Sequence, residues 1–130
     1  SLENLASQWT SLPELFYELV QQSGAGVTLD IGHAHACASR DVEGRVFERY
    51  LLPNRNRILN AHIYHTETLG EGHVAPASFE DIRTRVELLA KTPSCTWWVI
   101  ELKNMHDILY TRELLNRCCE GQVQPISLSL

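Results

Sequence analysis

Glu3, Asp30, His62 and Glu101 each close a short apolar run. The runs are Ser1-Leu2-Glu3, Gly26-Val27-Thr28-Leu29-Asp30, Ile58-Leu59-Asn60-Ala61-His62 and Thr96-Trp97-Trp98-Val99-Ile100-Glu101. Three carboxylates and one imidazole make an oxygen-rich ligand set suited to a divalent cation such as Mn²⁺, with Mg²⁺, Co²⁺ and Zn²⁺ also accepted. Each residue alone has an ordinary explanation. Glu3 reads as a surface carboxylate, Asp30 as the cap of a following helix, and His62 as a satisfied core histidine. Glu101, after so apolar a run, needs a partner, and Lys103 could be one. Their shared position is what sets them apart. In a parallel βα sheet the C-terminal strand ends gather on one face, where the active sites of such folds sit.

A second set follows the third run: His65, Glu71 and His73. Glu71-Gly72-His73 places a carboxylate and an imidazole two apart, so in an extended loop both can face one side. A solvated polar loop is the plain alternative. His33 stands three residues after Asp30, across a tight turn containing Gly32.

The elements that must position these residues alternate along the chain. Ser11-Leu12-Pro13-Glu14 reads as a capping box. Leu12, Leu15, Phe16, Leu19 and Val20 follow at amphipathic-helix spacing, and Ser23-Gly24-Ala25-Gly26 ends that helix. Val42, Val46, Phe47, Tyr50 and Leu51 fit a short helix closed by Pro53. A third strand over Ile58 to Tyr64 leads into a polar loop from His65 to Ala77. Ser78 then caps a helix with Phe79, Ile82, Val86 and Leu89 on its inner face. After the fourth strand, a helix over 104–119 presents Ile108, Leu109, Leu115 and Cys118 inward. The tail from Gln122 to Leu130 carries no predicted element.

This β-α-β-α-β-α-β-α order predicts an α/β fold with a parallel sheet and helices packed outside. Residues 1–130 form a single domain in this reading. Four such units are half of an eight-unit barrel. An open four-stranded sheet leaves two edges and one face to protect, so pairing with a partner is expected.

Composition bounds the function classes. The chain has 130 residues, 44% of them hydrophobic, as expected of a globular domain. No apolar stretch is long enough to span a bilayer, and no signal peptide is visible, although the chain opens on Ser. Asp and Glu number 16 against 11 Lys and Arg, a net charge of −5, which argues against a main task of gripping nucleic acid. Cys37, Cys95, Cys118 and Cys119 show no CxxC or zinc-ribbon spacing. They read as free thiols in a reducing cytoplasm.

At Leu2-Glu3-Asn4, Leu29-Asp30-Ile31-Gly32-His33-Ala34, His62, Glu71-Gly72-His73 and Ile100-Glu101 the chain resembles the C-terminal half of the xylose isomerase-like barrels. That group holds sugar (phosphate) isomerases and epimerases and the family 2 apurinic-site (AP) endonucleases. The resemblance runs from Leu2 to about Leu115. It implies a TIM (β/α)₈ barrel of which this chain supplies strands five to eight.

In the ketose epimerases of the group, one Mn²⁺-type ion is held by a Glu, an Asp, a His and a Glu. Those roles carry over to Glu3, Asp30, His62 and Glu101. Glu3 and Glu101 also become the catalytic acid/base pair, and His33 a hydrogen-bond partner of a substrate oxygen. Positions matching His33, Glu71 and His73 bind an additional zinc in the endonuclease branch, with Glu71 where Asp is usual. Other departures are the glycine-free segment Val74-Ala75-Pro76-Ala77-Ser78, His65 at a position where Asp is frequent, and the absence of strands one to four.

The resemblance therefore implies an isomerase or epimerase that acts on a small sugar or sugar phosphate through a metal-stabilised enediolate. A homodimer or a separate N-terminal half would complete the barrel. The alternatives are a non-catalytic half-barrel that binds metal or a partner, and a zinc phosphodiesterase of the AP-endonuclease kind.

Overall fold

Leu2–Glu3, Val27–Asp30, Ile58–Ile63 and Trp97–Ile100 (β1, β2, β3 and β6) lie side by side in one sheet, all parallel, in the order β1-β2-β3-β6. These are the four predicted strands. The computed structural model describes residues 1–38 and 45–119. The expectations at Val42 and for the tail fall outside those residues.

Helices follow the strands as expected, with one beyond the predicted alternation, since two lie between β2 and β3. They are α1 (Pro13–Ser23), α2 (Ile31–Ala36), α3 (Val46–Asn54), α4 (Arg83–Ala90) and α5 (Met105–Cys119). Every one buries side chains in the same cluster: Phe16 and Val20, Ile31 and Ala34, Phe47 and Tyr50, Val86 and Leu89, and Leu115. Leu29, Ala61 and Ile63 supply the sheet side of that core, with Leu2, Trp98 and Ile100 packed against it. Side chains alternate across a strand. Glu3, Asp30, His62 and Val99 therefore face the opposite side, where Asp30 is fully buried and the other three are partly exposed.

Several local expectations change. Ser11 does not cap α1. It lies in a 3₁₀ turn, Trp9–Ser11, and its Oγ donates to the Gln8 carbonyl at 2.6 Å. The helix starts at Pro13, whose missing N–H costs nothing in a first turn, and it ends on Gly24 at φ 66°. Pro53 lies inside α3, one residue before its end. The helix predicted from Ser78 is split into a 3₁₀ turn, Phe79–Asp81, and α4. Leu109 is exposed rather than inward.

The predicted polar loop holds a two-stranded antiparallel hairpin, β4 (Thr66–Thr68) and β5 (Gly72–Val74). It packs on α2. Arg85 of α4 is buried and donates to the carbonyls of Ile31, His65 and Asp81. One guanidinium thus ties α4 to the start of α2 and to the chain leaving β3. No helix among the described residues is long and apolar enough to cross a membrane.

Candidate metal centre

The four strand ends converge as the spacing predicts. Ligand atoms of Glu3, Asp30, His62 and Glu101 all lie within 4.8 Å of one another. Register explains it: Glu3 ends β1, Asp30 ends β2 directly beside His62 of β3, and Glu101 follows β6. Donors around one octahedral ion at ~2.1 Å stand roughly 3 to 4 Å apart, so this spread suits a small divalent cation after slight contraction.

The directions of the side chains point the same way. His62 Nδ1 lies 3.0 Å from Glu101 Oε2, 3.3 Å from Glu3 Oε1 and 3.5 Å from Asp30 Oδ2. It nevertheless makes no properly directed hydrogen bond. Donor atoms gathered this closely can hold one cation. Asp30 is fully buried, and its two oxygens divide the work. Oδ1 accepts the His33 amide at 2.7 Å and caps α2. Oδ2 makes no directed hydrogen bond but lies 3.3 Å from His33 Nδ1 and 3.5 Å from His62 Nδ1, so its buried charge faces two imidazoles. Capping through Oδ1 leaves Oδ2 open to a cation.

Without an ion, a proton takes the cation's place. Burial opposes a charge on His62, but Asp30, Glu101 and Glu3 outweigh it and push the imidazole up to about 11. The charged His62 in turn holds the Glu101 carboxyl below its usual range against the opposing effect of burial. A divalent ion must displace that proton to gain the ring nitrogen.

A second group lies alongside: His33, Glu67 and His73. Its carboxylate is Glu67, and Glu71 is not brought to the group. Glu67 sits directly across the hairpin from His73, which puts both on one face. Glu71 lies in the turn, where Gly72 at φ 74° breaks the extended run that would have aligned it with His73. Lys103 turns toward the Glu71 carbonyl at 3.3 Å rather than pairing with Glu101. His65 joins neither group and packs its ring on His35, centroids 4.6 Å apart.

Both histidines of this group are oriented by main-chain oxygens. His33 Nδ1 lies 2.9 Å from the Asn4 carbonyl and His73 Nδ1 2.9 Å from the Glu101 carbonyl. A carbonyl only accepts, so the Nδ1 contacts call for a proton on Nδ1 and turn each Nε2 toward Glu67. His33 Nε2 is 3.3 Å and His73 Nε2 3.9 Å from Glu67. Two nitrogens and one carboxylate suit Zn²⁺ better than Mg²⁺.

Tyr64 fills the space between the groups. Its ring stacks on His73 at 4.1 Å, and Gly32 admits it, since a Cβ there would fall 2.0 Å from Tyr64 Cε2. The hydroxyl is buried without a partner. Burial first, then Asp30, raises its pKa, so it stays a neutral phenol. Neither Glu67 nor Tyr64 was singled out by spacing. The signal for Glu67 was available in Thr66-Glu67-Thr68, a β-prone triplet ahead of a glycine-bearing turn.

No protein-family model matches the chain. No solved structure matches it either. An uncharacterised protein of the archaeon Methanocaldococcus jannaschii is 25% identical over 114 residues, 88% of this chain and 47% of that protein. The chain thus spans about half the length of that relative and resembles it along most of its own length.

Proposed function

We propose that the chain carries the metal centre of a divalent-metal-dependent isomerase or epimerase acting on a small sugar or sugar phosphate, in the manner of the xylose isomerase-like barrels. The observation that supports it is the convergence of Glu3, Asp30, His62 and Glu101, whose ligand atoms lie within 4.8 Å of one another. When bound, a cation such as Mn²⁺ would supply the positive charge that stabilises an oxyanion developing on a substrate carbonyl. The chain's residues do the rest. Glu101 is ionised and partly exposed, so it can take a proton from the carbon beside a carbonyl. Glu3, about equally exposed, can return one from its own side. General acid/base help of this kind is typically worth about 10²–10⁴-fold. His33, beside Glu3 and Asp30, would hold a substrate oxygen. Titration with Mn²⁺, followed by solvent-deuterium exchange into a panel of ketoses, tests this reading. Absence of metal binding would end it.

The second group favours a second reading. A nitrogen-bearing site at His33, Glu67 and His73 beside an oxygen-rich one is the arrangement a zinc phosphodiesterase of the AP-endonuclease kind uses. The net charge of −5 weighs against a nucleic-acid substrate. Zn²⁺ stoichiometry separates the two readings: one ion per chain for the first, two or more for the second.

Completion of the barrel belongs to the same proposal. Among the described residues β1 and β6 are sheet edges, and His62, Glu3 and Glu101 stay partly exposed. A second copy or a separate N-terminal half would cover them. If they stay uncovered, the non-catalytic metal-binding half-barrel is the reading left. A cytoplasmic setting goes with the isomerase reading.

A further inference from the structure

Asn4 follows Glu3 at the point where β1 ends. It is fully buried, and its Nδ2, Oδ1 and carbonyl oxygen all bond Asp30 or His33. The side chain stands in for the next step of the β ladder. Its Nδ2 donates to the Asp30 carbonyl at 2.9 Å, and its Oδ1 accepts the Asp30 amide at 2.8 Å. Both main-chain groups of Asp30 are thereby satisfied by one side chain 26 residues away in sequence. The carbonyl of Asn4 accepts from His33 Nδ1 at 2.9 Å. His33 in turn gives its amide to Asp30 Oδ1. A closed ring of four hydrogen bonds links Asn4, Asp30 and His33, with Glu3 attached through the peptide bond.

We propose that Asn4 is a positioning residue for both cation groups: its side chain sets Asp30 beside Glu3, and its carbonyl fixes the His33 tautomer that turns Nε2 toward Glu67. The proposal rests on the metal-binding reading and adds a residue that touches neither ion. The reason is geometric. Asp30 Oδ2 reaches the first group only while Oδ1 stays on the His33 amide, and that amide is placed by the peptide Asn4 grips. His33 belongs to the second group, yet its ring angle is set by the strand that delivers Glu3 to the first. Loosening Asn4 should therefore be felt at both groups, whereas loss of packing elsewhere should be felt at neither.

The test pairs Asn4→Ala with Val86→Ala, a core change in α4 remote from the site, and reads two signals. The first is the imidazole ¹⁵N spectrum of the metal-free protein. The second is Mn²⁺ affinity from the electron paramagnetic resonance of free Mn²⁺. In the wild type we expect His33 protonated on Nδ1. Asn4→Ala should give mixed tautomers and Mn²⁺ binding weaker by between about 10- and 100-fold, the usual cost of losing a group that orients a ligand. Val86→Ala should leave both signals unchanged.

A wild-type His33 with its proton on Nε2 overturns the proposal, as does equal weakening by Val86→Ala. An Asn4→Ala protein that keeps its tautomer and its affinity overturns it too. If Asn4→Ala does not fold, Asn4→Ser, which retains a small donor and acceptor, should lie between wild type and loss; wild-type values overturn. If no variant binds Mn²⁺, the metal reading fails by itself, and the tautomer spectra still decide the role of Asn4.

Discussion

Asp30 caps the helix that carries His33 with one oxygen, at 2.7 Å from the His33 amide, and turns the other toward the His62 and His33 rings, 3.5 and 3.3 Å from their Nδ1 atoms. The two duties separate chemically. An amide caps a helix as well as a carboxylate does, but it brings no charge to a cation. We expect Asp30→Asn to keep the fold, with a thermal midpoint near the wild-type value. Mn²⁺ affinity should fall at least about tenfold, the lower bound set by losses among mere supporting groups. Calorimetric titration beside a melting curve checks it, and unchanged affinity would remove Asp30 from the ligand set.

His62 and His106 make the cleaner contrast. His62 stands among three carboxylates, and His106 lies exposed in the first turn of α5. His62→Ala should weaken Mn²⁺ binding far more than His106→Ala. Because the ion replaces a proton on an imidazole raised to about 11, binding near neutral pH should release about one proton per ion. That appears as a buffer-dependent heat, which His62→Ala should abolish. Equal effects of the two substitutions would contradict the convergence of strand ends.

Much of this was legible because apolar strands ending on a lone polar residue are visible in one dimension. Asp30, His62 and Glu101 each close such a run, and parallel register does the rest. The second group was half legible. His73 and His33 stood out, but Glu71 looked right only while the segment was taken as an extended loop. The hairpin pairs Glu67 with His73 instead, and its strands are too short and polar to show an apolar pattern. Ser11 failed as a cap because Pro13 begins the helix two residues later. The grip of Asn4 on Asp30 spans 26 residues, and no local spacing encodes it.

Acid should expose a different histidine. His35 lies outside both groups, and its pKa is lowered from 6.5 to about 4, by burial first and then by the charges of Arg85 and His65. Between pH 6.5 and 4 the unfolded chain takes up a proton at this position that the folded chain refuses. Unfolding is then favoured as pH falls through that window, and the contribution is fully present above 6.5. His35 is exposed, so solvent tempers the effect. His35→Gln should flatten the slope of stability against pH from 6.5 to 4 in denaturant titrations. An unchanged slope would assign the acid sensitivity to other groups.

The open sheet edges predict an association. Parallel sheets are covered on both sides in nearly all proteins. Here, among the described residues, β1 and β6 are unpaired on one edge each, and His62, Glu3 and Glu101 beside them stay partly exposed. Native mass spectrometry should show two chains of 14.8 kDa together, or capture of a separate N-terminal half. Trp97→Asp, at a half-exposed position on the edge strand β6, should release monomers. A wild-type monomer at about tens of micromolar would leave the half-barrel alone and argue for the non-catalytic alternative.

Glu101 carries the sharpest chemical claim. Its carboxylate is held ionised by His62, lies at the end of β6 and is partly open to solvent, as a group that must exchange protons with a substrate should be. Glu101→Gln keeps the shape and an oxygen donor but cannot take a proton at any ordinary pH. If Glu101 is the base, exchange of the hydrogen beside the substrate carbonyl with deuterated solvent should stop, while weak Mn²⁺ binding persists through Glu3, Asp30 and His62. If Glu101 is a ligand only, exchange should survive once Mn²⁺ is raised to refill the weakened site. The comparison at saturating Mn²⁺ therefore separates the two roles, since only a lost base leaves the loaded protein inert.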